Sequence, residues 1–156
     1  MIIDSLLKVA VAQAVAAAAV STSSIDLTVP GVSGFGTGTP PNREPMTGEP
    51  VGFGVNVNVA ASLTSCTFEI INTTDAALTA GLISLVTVSL LAADLAAGAS
   101  FFVPLPNVPR AAGWLRYLGM RFVPTGGAAT VTVSAWFSTH SMFSAQAKSY
   151  AKAFNA

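Results

Sequence analysis

Charge is scarce in this chain. Only 9% of its residues are Asp, Glu, Lys or Arg, where soluble domains carry about a quarter. The seven acids and seven bases cancel, and near-zero net charge favours association over dispersal. A surface so poor in charge is expected to be covered by copies of itself or by a larger assembly, as in a structural part rather than a freely diffusing enzyme. There is one cysteine, Cys66, so no intrachain disulfide can form. Within Thr64-Ser-Cys-Thr-Phe-Glu-Ile-Ile71 it reads as a small buried hydrophobe on a strand. There is one histidine, His140, so His/Cys spacing offers no metal site. No catalytic constellation is visible, and no cofactor is expected.

What charge there is divides unevenly. Residues 1–109 hold all seven acids and two bases; residues 110–156 hold five bases and no acid. The bases are too sparse for a phosphate-binding run, so no nucleic-acid partner is expected. Either the halves neutralise each other within the fold, or they make complementary contacts between neighbouring subunits. At 156 residues the chain is long enough for one domain with its own core.

Two segments imitate membrane or export signals. The Ala/Val run to Val20 looks like a signal peptide, but Asp4 precedes Lys8 and Lys8 lies inside the apolar stretch. Residues 76–93 carry no charge, yet Leu85-Val-Thr-Val-Ser-Leu90 alternates apolar with hydroxyl residues, as a half-buried strand does. No membrane partner is expected.

The rest of the chain has strand periodicity. Ile25, Leu27 and Val29 alternate inward before a Gly/Pro/Thr-dense loop over 30–50. Val51–Ala60 alternates apolar residues with Gly or Asn over its whole length. Strands follow at Thr64–Ile71, Ile83–Leu91, Ser100–Leu105 (short and ended by prolines, an edge strand or a strand end), Leu115–Val123 and Ala129–Phe137. Asn72-Thr-Thr-Asp75 and Pro124-Thr-Gly-Gly127 read as turns. In the last strand Val131, Val133, Ala135 and Phe137 oppose Thr130, Thr132, Ser134 and Trp136. About eight short strands separated by turns make an all-β, antiparallel jelly-roll or β-sandwich. The tail differs: Phe143, Ala147, Tyr150 and Phe154 share one helical face, which docks on its own domain or on a neighbour.

Shorter motifs carry little. Gly34-Phe-Gly-Thr-Gly38 lacks the strand–turn–helix context of a dinucleotide loop. Gly31-Val-Ser-Gly34 is not a nucleophile elbow. Asn72-Thr-Thr74 matches a glycosylation acceptor of a kind that arises easily by chance, and nothing favours a carboxylate pair of Glu44 and Glu49.

The order of the pieces carries a resemblance. Leu6, Leu7 and Ala12-Gln-Ala-Val15 lead into Val20-Ser-Thr-Ser-Ser-Ile-Asp-Leu27; Gly48-Glu-Pro-Val51 opens the alternating strand; Gly98–Pro106 and Leu115-Arg-Tyr-Leu118 follow. The chain resembles, to about Thr139, the capsid cementing (decoration) proteins of tailed bacteriophages, of the type found on a Bordetella podophage. The resemblance implies a jelly roll on the outside of an icosahedral head. Its partners would be the major capsid protein of an HK97-like shell and further copies of itself, with a homodimer favoured over a homotrimer. It would be made in the host cytoplasm and end on the virion exterior. It also implies that the N-terminal run is extended, although its alanines favour helix. The chain departs from the family in its long 30–47 loop and in the tail after Met142. The expected organisation is an extended arm over 1–24, a sandwich over 25–140 and a short helical tail over 141–156. Aromatic and arginine side chains are the usual interface anchors, which singles out Arg43, Trp114, Arg116, Tyr117, Trp136, Phe143, Tyr150 and Phe154. The competing readings are another virion-surface or secreted adhesion module, and a small-molecule binder or enzyme on the same fold.

Overall fold

A computed structural model describes residues 7–27, 49–106 and 114–144. These form nine antiparallel strands: β1 (Lys8–Val15), β2 (Ala19–Val20), β3 (Ile25–Asp26), β4 (Val51–Ala61), β5 (Ser65–Thr73), β6 (Ile83–Leu91), β7 (Ser100–Pro104), β8 (Tyr117–Thr125) and β9 (Thr130–Thr139). One sheet has the order β1-β9-β4-β7 and the other β2-β8-β5-β6, with β3 also paired to β8. β2 and β3 lie on the same edge of β8, at Phe122/Arg121 and at Leu118/Tyr117. Taken as two pieces of one interrupted strand, they complete the eight-strand jelly-roll order.

The alternation expected from sequence supplies the core. Phe53, Val55 and Val57 of β4, and Val131, Val133, Ala135 and Phe137 of β9, face Cys66, Phe68 and Ile70 of β5 and Leu118, Met120 and Phe122 of β8. Phe68 meets Phe101 of the opposite sheet edge to face, with ring centroids 4.8 Å apart.

The N-terminal run is extended, against its alanine propensity. Residues 8–15 are the edge strand beside β9, and Val9, Ala10 and Val15 enter the core. Ladder bonds and burial outweigh a helix preference of a few tenths of a kcal/mol per residue, roughly. Three local readings need correction. The alternation of β4 breaks at a bulge between Val57 and Val59, which turns Val59 outward to 54% exposure and brings Ala60 against the core. Asn72 and Thr73 belong to β5, so the turn begins only at Thr74. β8 runs through Pro124 to Thr125, with Pro124 opposite Cys66 near the strand end.

The two halves of the charge pattern meet inside the fold. Both ion pairs among the described residues, Asp26–Arg116 and Glu69–Arg121, join an acid of the first 109 residues to a base beyond them. No helix among the described residues is long and apolar enough to cross a membrane.

Candidate interaction surface

The described anchors fall into two groups. Arg43, Tyr150 and Phe154 lie outside the described residues. Trp114, Arg116 and Tyr117 enter β8 from one end of the sandwich, where Asp26 of β3 pairs with Tyr117. Arg116 donates from Nε (3.1 Å) and Nη2 (2.8 Å) to Asp26 Oδ2. Its guanidinium also lies 5.0 Å from the Tyr117 ring centroid. The hydrogen bonds that Arg116 donates to Asp26, then the charge of Asp26, raise the Arg116 pKa above the ordinary value. The guanidinium is therefore a fixed cation at every relevant pH, and it is exposed. Trp114 is half-buried against the core, and its Nε1–H is buried without a partner among the described residues.

Asn72 holds this segment in place. It is fully buried, donates from Nδ2 to Leu115 O (3.0 Å) and Tyr117 O (2.7 Å), and accepts from Leu115 N–H through Oδ1 (2.8 Å). A side chain so committed cannot carry a glycan in the folded chain. Sequence reading missed it because it treats Asn before Thr-Thr-Asp as turn chemistry. Its place between Ile70 and the next hydrophobic run was the only available signal.

The second group covers the outer face of the four-stranded sheet. Phe102, Gly54 and Trp136 form one row across β7, β4 and β9. The chain leaves β9 into a helical turn at 140–144, which lays Phe143 over Gly54. The Phe143 ring centroid is 5.6 Å from Phe102 and 6.2 Å from Trp136. A Cβ on Gly54 would stand 2.7 Å from Phe143 Cδ2 and 2.8 Å from Trp136 Cε2, so this row needs a residue without a side chain. Trp136 and Phe143 are therefore only 7% and 8% exposed, packed within their own chain. His140 is exposed, with its ring 5.3 Å from Phe102.

The turn is anchored by Glu49. Its carboxylate accepts from Ser141 N–H (2.7 Å) and Ser141 Oγ (2.8 Å), while Thr139 Oγ1 accepts from Met142 N–H (3.4 Å). The Ser141 hydroxyl bond is the main reason that Glu49 titrates below its ordinary value.

Cys66 is fully buried, and desolvation pushes its thiol up to about 11, the opposite of what a nucleophile requires. Among the described residues no three His, Cys, Asp or Glu side chains converge on a metal-sized site. The Asp75 carboxylate is spent on its own loop. It accepts from Thr79 Oγ1 (2.6 Å), Thr79 N–H (2.9 Å), Ala77 N–H (3.0 Å) and Ala80 N–H (3.2 Å). These bonds, the Thr79 hydroxyl first, lower its pKa to about 2. The closed loop presses Leu78, buried and at φ 57°, against Gly119 on the outer face of the five-stranded sheet.

The family model named Bbp16 matches residues 9–138. No curated protein matches the chain.

Proposed function

The chain belongs to the Bbp16 family, and on that premise we propose that it is a structural capsid cement (decoration) protein. It binds the outer surface of a phage icosahedral head as a small oligomer and stabilises contacts between neighbouring capsomers. The observation that carries the reading is the family match, which runs from β1 to the last residues of β9. The family name points to a Bordetella phage protein, in keeping with the resemblance carried by the ordered motifs. Its partners are the major capsid protein and further copies of itself, and its place is the virion exterior.

The physical chemistry suits that role. Cement requires no turnover; it requires apolar area that crosses subunit boundaries, at about 25 cal/mol per Å² buried. Copies repeated over a shell act together through effective concentration, so modest contacts become durable. A chain with 9% charged residues is poorly fitted to free diffusion and well fitted to permanent embedding. Of the described anchors, Arg116 is exposed and Tyr117 is half-buried beneath its guanidinium, and we assign the pair to contacts outside the chain.

The test is co-sedimentation of the purified protein with mature shells stripped of it, followed by heating. Saturable binding at a fixed copy number, with a higher disruption temperature, is expected. A protein that stays in the supernatant and leaves shell melting unchanged would refute cementing and favour an adhesion module.

A further inference from the structure

Each open sheet edge offers unpaired backbone N–H and C=O groups to another strand, and proteins usually blunt such edges with charge, proline, bulges or brevity. Three of the four edges here are blunted. β1 carries Lys8 and two register breaks. β2 and β3 are two-residue pieces, one of them ending in Asp26. β7 has five residues and ends in Pro104. β6 is different. It has nine residues, Ile83-Ser-Leu-Val-Thr-Val-Ser-Leu-Leu91, with no charge and no proline. Among the described residues it pairs with β5 alone; its one register break lies near its start, at Leu85, and the register is unbroken from Val86 to Leu91.

The side chains of this stretch are half dry. Val86, Val88 and Leu90 stand opposite the buried Ile70, Phe68 and Cys66, on the core-facing side, yet each is only partly buried. Thr87 and Ser89 point to the other face, and both are exposed. About Val88 the pattern is a palindrome: apolar, hydroxyl, apolar, hydroxyl, apolar. A symmetric pair needs a surface that matches itself, and this strand has one.

We propose that β6 pairs antiparallel with β6 of a second copy, about a two-fold axis at Val88. Val88 then opposes Val88, Val86 opposes Leu90, and Thr87 opposes Ser89. The rims of the two cores join into one apolar row, and the two five-stranded sheets become continuous. The charges on this sheet do not obstruct it, because Glu69 and Arg121 lie one and two strands back and are paired with each other, and Asp26 lies on the opposite edge, paired with Arg116. The pairing deepens the proposed self-association and rests on that part of the reading. It is tested without shells, so its failure is distinguishable from failure of shell binding.

The experiment is sedimentation of the full chain over a concentration series, alongside three variants. The native chain should form a dimer. Val88→Lys sets two like charges opposite each other and should weaken the dimer more than tenfold. Thr87→Lys, on an exposed position, should weaken it while circular dichroism and thermal unfolding at a dilution where both chains are monomeric stay unchanged, which keeps the test valid if Val88→Lys fails to fold. Val59→Lys, exposed on the other sheet, should leave the dimer intact. Directly opposed strand residues lie within disulfide reach, so Val88→Cys should give a reducible covalent dimer on oxidation. A monomeric native chain, a dimer indifferent to Thr87→Lys, or a dimer that Val88→Cys does not cross-link would each overturn the pairing.

Discussion

Replacing Gly54 by alanine tests whether the outer aromatic row is built around a missing side chain. The new methyl would stand 2.7 Å from Phe143 and 2.8 Å from Trp136. If both rings hold their places, the strain costs about 1–3 kcal/mol. If Phe143 lifts away, the lost burial costs about 1.5–3 kcal/mol. Alanine recovers about 0.5–1 kcal/mol that glycine loses in a strand. The net expectation is a loss of about 1–2 kcal/mol, or a fall in Tm of about 3–6 °C for a domain of this size. Urea unfolding followed by tryptophan fluorescence and circular dichroism measures it. Gly127→Ala is the control: a Cβ there meets nothing within 4 Å, and its effect should stay within about 0.5 kcal/mol. Adding Phe143→Ala to Gly54→Ala should be much less than additive, with a coupling of at least about 1 kcal/mol. If Gly54→Ala is no worse than Gly127→Ala, or if the two costs simply add, Phe143 is not the group that Gly54 accommodates.

Asn72→Ala should cost about 2–4 kcal/mol in urea unfolding, because it leaves three partly buried backbone groups without this partner; a loss under about 1 kcal/mol would mean that Asn72 does not hold the segment at 115–117. Asp75 gives an acid dependence of known sign. Its pKa is lowered from 3.8 to about 2 in the fold, so the unfolded chain takes the proton first. The stability it contributes is full above pH 3.8 and drains away as pH falls towards 2. Asp75→Asn should therefore unfold earlier than the native chain at neutral pH, with the gap closing towards pH 2; a gap independent of pH would refute the assignment. Cys66 should resist a maleimide at pH 8 in the native state and react only on unfolding, given full burial and a thiol pKa of about 11. Rapid native labelling would show that β5 opens locally.

Sequence by itself determined the strands of the sandwich and which side chains face inward, because a half-buried strand must alternate. Phe53, Val55 and Val57, and the contrast of Phe137 with Trp136, were legible for that reason. The tight turn after Pro124 was legible from backbone chemistry alone, and the prolines that end Ser100–Leu105 left an edge strand or a strand end, between which the sheet order decides for the edge. The tertiary structure decided what depends on a partner distant in the chain. Residues 8–15 are a strand because β9 supplies the ladder and the core takes Val9 and Val15, neither of which is visible in an alanine-rich run. Val59 faces outward because one bulge shifts the pleat. Asn72 is structural because Leu115 and Tyr117 arrive beside it from forty-odd residues away. Trp136 and Phe143, singled out in the sequence by residue type, pack around Gly54, a neighbour that only strand register and the turn after β9 supply. Periodicity reports the local environment of each strand; which strand, loop or helix covers it is settled only when long-range pairing brings them together.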